Sequence, residues 1–498
     1  MKQLQTFWRE NSTLLVIFGI LLVLSLIGWP AMDTQPFVRT TLSGLTLSAL
    51  YFMVAAGLTL VFGLMDVLNF SQGSMLMIGA YAGWQFYTNP TFLFGLAPLV
   101  IALMAGLSAT AVLHPLVQHW PIPPQWRSQI YKLIIVVALA VALLALWGVD
   151  FRDLAATAMV SSMVAANPLA EATPQEPLAT FWFRPVLLLL AGLLIAVAQA
   201  RPGDETKVVH REQARRSGIP LAALVVLTVV ATLVRESGPI AVLLMDGNLR
   251  FVLALLVGAL VGAGLGAVIE TTLISPLYVR PLYQIIITMG LAFVIAEIIQ
   301  VLWDPLPYAM DRPPQFAQPG KAENLLAWFR GGNTTVDIVG VTFPSYRLFI
   351  IVLGVSMFVG LTLLLKYSRL GMIIRAGVQD REMVEALGIN VRRVFTLVFA
   401  LGTGLAALGG IGAAPFIPVE PVMGDRFLMQ GFITVVIGGM GSTTGAAVGA
   451  LLLGLARAFG DYLALRFGLT PAISEASTVI IMAIVLLARP AGLFGRRE

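Results

Sequence analysis

The chain has 498 residues, of which 58% are hydrophobic and 11% charged, with a formal net charge of +5. A soluble domain carries about 25% charged residues, so no soluble fold could hide this much apolar surface, and the composition is that of a polytopic membrane protein. With no cysteine, disulfide, zinc-thiolate and iron–sulfur chemistry are excluded. The three histidines, His114, His119 and His210, lie in or beside charged or proline-rich connections, which argues against a metal site. The positive charge gathers in particular loops, a record of topology rather than of nucleic-acid binding.

Lys2 and Arg9 precede an apolar run, Thr13 to Trp29. It is long for a cleaved signal peptide, and Trp29-Pro30 is a poor cleavage site, so it reads as a retained first span with the N-terminus inside. A second segment, about Thr41 to Gly63, ends in Asp66, Asn69, Ser71, Gln72 and Gly73 before the apolar pattern resumes from Met75 to Trp84. Polar residues and glycine interrupting a span mark a broken helix at a transport path; an ordinary tight turn between two spans is the alternative.

Residues 91–248 read as an extra block of about four transmembrane helices. Its connections alternate in charge: 114–130 basic, 150–184 mixed and proline-rich, 201–216 with five Lys/Arg. Four crossings return the chain to the side it left. Leu249 to Ile269 then carries Gly258, Gly262 and Gly266 at four-residue spacing, a ladder that lets helix backbones approach closely. The span from Gln284 to Trp303 includes Glu297, and a Pro/Gly-rich outer loop, 304–344, with a short surface helix near Leu325 to Phe329, leads to a span from Leu348 to Leu365.

Residues 366–393 hold six Lys/Arg and three Asp/Glu. Each charge costs roughly 2.5–3.5 kcal/mol at the centre of a span, so this stretch lies in water, and its positive excess places it in the cytoplasm. Met383, Ala386 and Leu387 recur at i, i+3 and i+4, which predicts a short helix from about Asp380 to Leu387, ended by Gly388 and followed by Ile389 and Asn390. Such a helix suits docking into a groove on a soluble partner; a solvated loop fits the same spacing. Val394 to Ala414, a Pro-interrupted connection (Pro415, Pro418, Pro421) and Phe427 to Met440 follow. Gly438 to Gly445, GGMGSTTG, lacks the GK[ST] ending of a phosphate loop, while Gly441, Gly445 and Gly449 form a second close-packing ladder. The last span, Ile473 to Leu487, ends at Arg489, Arg496 and Arg497, which places the C-terminus inside. The expected fold is all-α, with 14 hydrophobic segments, some of them broken or re-entrant. Its parts are 1–90, 91–248 and 249–498, the last containing the coupling loop 366–393. No nucleophile elbow, metal-helix pair or nucleotide motif occurs, so neither catalytic residues nor a cofactor or metal is expected.

Three stretches carry a resemblance: AAGLTLVFGLMDVLNFSQGSMLMIGAY (55–81), YSRLG (367–371) with EALGIN (385–390), and VVIGGMGSTTGAAVGALLLG (435–454) with RPAGLFG (489–495). The chain resembles the inner-membrane permeases of branched-chain amino acid ABC transporters, the LivH type, over 40–90 and 250–498. Ser74 departs from the acidic or small apolar residue of many members. The resemblance implies a bacterial inner-membrane permease subunit for branched-chain or other aliphatic amino acids. Its implied partners are a second permease subunit, two cytoplasmic ATPases and a periplasmic or extracellular binding protein. Asn69, Ser71, Gln72 and Gly73 are the first candidates for the polar part of the path; Gln430 and Thr434, four apart, serve either the path or helix–helix hydrogen bonding. Arg375, Glu382, Glu385, Ala386, Leu387, Gly388, Ile389 and Asn390 are the candidates for coupling to the ATPase. Urea and short-amide permeases share the scaffold. An ion-coupled secondary transporter would use a carboxylate among Asp66, Glu270 and Glu297, and a membrane-embedded enzyme would need an acid/base or metal constellation that the chain lacks.

Overall fold

The computed structural model of the chain describes residues 33–65, 67–117, 124–149, 151, 181–199, 211–278, 280–338, 340–379, 381–470 and 472–495. The predicted first span, Asp66, most of the 150–184 connection, residues 201–210, Asp380 and the terminal Arg496 and Arg497 lie outside them.

In chain order the helices are α1 (Thr34–Met65), α2 (Gln72–Thr88), α3 (Thr91–Ser108), α4 (Thr110–Val117), α5 (Pro124–Leu146), α6 (Phe183–Gln199), α7 (Arg211–Val234), α8 (Ser237–Leu243) and α9 (Gly247–Ile269). A π-helical turn (Glu270–Ile274) and a 3-10 turn (Ser275–Leu277) lead to α10 (Pro281–Trp303). The segment 304–344 holds β1 (Gln318–Ala322), α11 (Leu325–Gly331), β2 (Asn333–Ile338) and β3 (Val341–Pro344). Then come α12 (Ser345–Tyr367), α13 (Arg369–Gln379), α14 (Arg381–Ala386), α15 (Val391–Ala413), α16 (Met423–Gly438), α17 (Thr443–Arg466) and α18 (Ala472–Ala488). Among the described residues eight helices are long and apolar enough to cross a membrane, and nine if α7 and α8, bent by 71°, form one span.

The chain forms two units. In the first, 1–84 with 247–498, α1 is the central post: it packs on α12, α15, α16 and α17 and is buried almost continuously from Ser48 to Val61. The glycine ladder of α9 lies on α15. A Cβ at Gly262 would fall 2.3 Å from Ala407 Cβ, and one at Gly266 1.9 Å from Thr403 Oγ, so the small residues set the interaxial distance here. In the second ladder Gly445 and Gly449 pack on α16, but Gly441 lies in the turn before α17, whose N-cap is Ser442. The tail folds back on that turn: Leu493 and Phe494 N–H donate to Ile437 and Gly438 O, both at 2.9 Å.

The segment 304–344 is more ordered than its Pro/Gly content predicts. β2 pairs with β1 in parallel and with β3 antiparallel. Phe316 packs on Trp328, Tyr346 and Phe349, which seats α11 over the start of α12. Tyr308 and Val419 exchange backbone hydrogen bonds of 2.9 and 2.8 Å, tying this segment to the connection before α16.

The second unit, Gln85–Asp246, packs α6 against α3, α4 and α5, and α7 against α3 and α4. Gly106 and Gly192 face each other across α3 and α6. Arg184 donates to Ala145 and Trp147 O at 2.9 and 2.8 Å and so satisfies the last carbonyls of α5. The described residues of the predicted loop 114–130 are helical, 114–117 closing α4 and 124–130 opening α5. His114 is buried in α4, and Pro124 opens α5 at a position where its missing N–H costs no bond.

Candidate translocation path and coupling loop

α1 ends at Met65, and the chain turns back before α2 begins at Gln72. The return is deep. Gln72 Nε2 donates to Gly402 O at 2.8 Å, midway along α15, beside Gly57, roughly 12 Å above the end of α1 at 1.5 Å per residue. The interruption is therefore a break inside the helical layer rather than a turn at its edge. Asn69, Ser71 and Gln72 are each 1% exposed or less. Ser71 N–H and Oγ–H donate to Asn69 Oδ1 at 3.0 and 2.6 Å, and Asn69 Nδ2 donates to Gln72 Oε1 at 3.2 Å. The Asn69 side chain thus replaces the backbone acceptors that the break removes. Gly73 meets Gly424 of α16 backbone to backbone. Gln430 and Thr434 lie on α16 itself. Thr434 Oγ donates within its own helix to Gln430 O at 2.7 Å, whereas Gln430 Oε1 is buried and has no hydrogen-bond partner among the described residues.

The charged stretch 366–393 forms two helices, α13 and α14, where the sequence predicts one. α14 ends in a Schellman motif: Gly388 N–H donates to Glu385 O at 3.0 Å, Ile389 N–H donates to Val384 O at 3.3 Å, and Gly388 has φ +80°. The left-handed φ costs a residue with a Cβ about 1–2 kcal/mol, so glycine belongs there. Val384 is buried with Val391 and Phe395, against Met65, Tyr278 and Ile389. One face of α14 thus anchors to the membrane unit, and the other is open: Met383 and Leu387 are 60% and 73% exposed, with Glu385 and Ala386 beside them.

The eight candidate coupling residues therefore divide. Glu385, Ala386 and Leu387 face outward. Gly388, Ile389 and Asn390 shape the exit, Asn390 Oδ1 accepting from Arg393 N at 3.1 Å as the N-cap of α15. Arg375 reaches back to Lys366 O at 3.3 Å and braces the junction of α12 and α13. The side chain of Glu382 lies outside the described residues.

Residues 214–489, more than half of the chain, match the family model described as branched-chain amino acid transport system / permease component. The chain belongs to this family. A similar relative is the high-affinity branched-chain amino acid transport system permease protein LivH of Escherichia coli K12, 36% identical over 140 residues, 28% of this chain and 44% of LivH. The corresponding BraD protein of Pseudomonas aeruginosa is 33% identical over 168 residues, 34% of this chain and 52% of BraD. The fructose import permease protein FruF of Bifidobacterium longum is 26% identical over 260 residues, 51% of this chain and 67% of FruF. The chain thus spans about half the length of the branched-chain relatives it matches. No solved structure matches it.

In this member of the branched-chain permease family, three polar residues join the site that the sequence reading did not place there. Thr288, fully buried in α10, accepts from Phe70 N–H at 3.2 Å inside the break. Gln284, one turn earlier, donates to Leu277 O at 2.8 Å. Glu270, fully buried in the π-helical turn, accepts from the hydroxyls of Tyr278 and Thr396. The one signal available was a Gln and a Thr four apart in an otherwise apolar span.

Proposed function

We propose that the chain is the transmembrane permease subunit of an ABC importer, forming the path for branched-chain or other aliphatic amino acids. It works with a second permease subunit, two cytoplasmic ATPases and a periplasmic or extracellular binding protein. In this reading the loop 366–393 and both termini face the cytoplasm of a bacterial cell, with the outer segment 304–344 on the other side. The observation that carries the reading is α14, a short helix fixed on one face by Val384, stopped at Gly388, and presenting Met383, Ala386 and Leu387 outward. An apolar stripe beside charged residues is what a helix-in-groove partner takes up. Hydrolysis of ATP by the partners moves the loop, and the loop moves the helices around the break.

The substrate class rests on the chemistry of the break and the names of the relatives. An aliphatic zwitterion needs a few polar groups for its ends and apolar walls for its side chain. Asn69, Ser71 and Gln72 supply the former, and Phe70 with Phe432, ring centroids 6.2 Å apart, the latter. The FruF likeness favours a second reading, a sugar permease. A sugar, however, presents a hydroxyl on almost every carbon, and most side-chain polar atoms at this break are already hydrogen-bonded to each other.

The test is reconstitution of the chain with the partner proteins encoded beside it. Leucine uptake driven by ATP, not competed by fructose or urea, is the expected result. Fructose uptake would overturn the substrate class, and uptake that needs an ion gradient but no ATPase would overturn the importer class. A cysteine placed at Leu387 tests topology in a chain that has none of its own. Its labelling by an impermeant reagent from outside the cell would reverse the assignment of sides.

A further inference from the structure

Glu270 makes its hydrogen bonds with Tyr278 and Thr396 rather than with the polar residues of the break, yet it is a fully buried carboxylate. Burial of such a group is costly unless it is partnered, and replacing it with an apolar side chain of similar volume is often neutral or stabilising. Stability therefore gives no reason for a carboxylate here; its position does. The π-helical turn Glu270–Ile274 offsets the end of α9 by one residue, a distortion frequent at functional sites. It aims the carboxylate at two hydroxyls. Tyr278 lies on the link into α10, and Thr396 lies in the second turn of α15, six residues beyond Asn390 at the exit of the coupling loop. Among the described residues no Lys or Arg pairs with Glu270. Two hydroxyls and one carboxylate hold three segments together.

From this tie a hydrogen-bonded series continues into the break. Gln284 Nε2 donates to Leu277 O at 2.8 Å, next to Tyr278. Thr288 Oγ donates to Gln284 O at 2.9 Å and accepts from Phe70 N–H at 3.2 Å. Asn69, Ser71 and Gln72 follow, and Gln72 returns to α15 at Gly402. Among the described residues α10 fully buries only Gln284, Thr288, Ile299 and Trp303. At the charged end Gln284 and Thr288 give its buried contacts, and Leu291 and Ile295 pack further along against the cluster of Val61, Met75 and Phe399, so a displacement of the polar series is carried into α10.

We propose that Glu270 is a positioning residue for coupling. Its carboxylate locks the base of α15 to the start of α10, so that movement of the coupling loop reaches the Phe70 amide in the break. The proposal rests on the importer reading above. Thr396→Val and Tyr278→Phe remove the two hydroxyls while keeping size; Thr396→Ser keeps a hydroxyl at its position. The full complex, with its ATPases and binding protein, is reconstituted in liposomes, and leucine moved per ATP hydrolysed is measured with ATPase co-recovery. The double variant Thr396→Val/Tyr278→Phe is expected to keep its ATPases and its basal hydrolysis. Leucine moved per ATP should fall about tenfold or more, within the usual range of coupling energies. The companion double variant Thr396→Ser/Tyr278→Phe, which retains one of the two hydroxyls, should recover toward the original ratio.

An unchanged ratio in the double variant that lacks both hydroxyls overturns the proposal alone. So does loss of ATPase co-recovery in step with thermal stability, which marks a merely structural tie. Failure of the unaltered chain to recover ATPases, or to move leucine with ATP, overturns the importer reading and this proposal with it.

Discussion

Gly57→Ala adds one methyl group where α1, the break and α15 meet. Its Cβ would lie 2.1 Å from Gln72 Nε2 and 2.3 Å from Gly402 O, where ordinary contacts begin at 3.4 Å. The Gln72 amide can swing aside, but the Gly402 carbonyl belongs to the backbone of α15, so the two helices must separate. Overpacking of this kind costs about 1–3 kcal/mol. Loss of the Gln72–Gly402 bond adds about 0.6 kcal/mol on average for membrane interiors, and up to about 1.7. The clash is therefore the larger effect, and the gain of about 1 kcal/mol in helix propensity does not offset both. Gly264 in α9 is the control, because a Cβ there meets nothing within 4 Å. Gly264→Ala has the propensity gain and no clash, so the two variants should differ by roughly 2–4 kcal/mol. At about 2.1 cal/mol/K per residue a unit of this size shifts by about 1.5 °C per kcal/mol, so thermal challenge of detergent-purified protein followed by size-exclusion should separate their midpoints by about 3–6 °C, Gly57→Ala being lower. Coincident midpoints would show that the α1–α15 contact is not close-packed and would sink the account of the break built on it.

Gly388→Val forces a β-branched residue into the left-handed φ of +80° and should unseat the Schellman cap, while Ala386→Arg places bulk and charge on the open face of α14. Both should insert normally and lose ATPase co-recovery, and full coupling in both would reduce the loop to a solvated connection. In the segment 304–344 Lys321 Nζ lies 2.5 Å from Asp337 Oδ2, and this hydrogen bond holds the Asp337 carboxyl below the usual carboxylate range. Because the folded value is the lower one, the contribution is present above the unfolded value of about 3.9 and is lost as pH falls through the folded value. Hydrogen exchange of the β1–β2 amides in Asp337→Asn should therefore exceed that of the unaltered chain at pH ~6 and match it once the pH has fallen below the folded value; equal exchange at the higher pH would refute the role of the pair.

Hydropathy made the long spans legible, and four-residue glycine spacing made the α9–α15 contact legible, because both are local patterns. The end of α14 was equally readable: Gly388 after an i, i+3, i+4 stripe is a helix stop whatever surrounds it. The partners of polar residues were not readable. Gln72 finds Gly402, Phe70 finds Thr288, and Glu270 finds Thr396, pairs separated by 330, 218 and 126 residues in sequence. Nothing in the neighbourhood of Gln284 or Thr288 distinguishes a polar tie to the break from a hydroxyl bonded to its own helix, as Thr228 and Thr232 are. The three-stranded sheet escaped for another reason. Its strands are only four to six residues long, at the short end of what alternation can mark, and Pro319 and Gly320 inside β1 read as a turn.

Hydrogen-bond capacity ranks the candidate path residues differently from their order in the sequence. Asn69 Oδ1 already accepts twice from Ser71, and Gln72 Oε1 accepts from Asn69. What these two amides retain is a spare N–H each, which suits a carboxylate. Gln430 Oε1 is the reverse, a buried acceptor with no partner among the described residues, which suits an ammonium group. Leaving such an atom unsatisfied costs about 1–3 kcal/mol, a cost that persists without use unless a ligand removes it. On the proposed function, Gln430→Leu should then move two observables in opposite directions. The protein should melt at the same temperature or higher, because the unsatisfied acceptor is gone. Leucine uptake should show a KM raised about tenfold, corresponding to the loss of one hydrogen bond to a charged group. Thr434→Val, which removes a hydroxyl spent inside its own helix, should leave the KM unchanged. A lower melting temperature with unaltered KM in Gln430→Leu would mean that Gln430 packs α16 against its neighbours, and the ammonium would have to be met elsewhere.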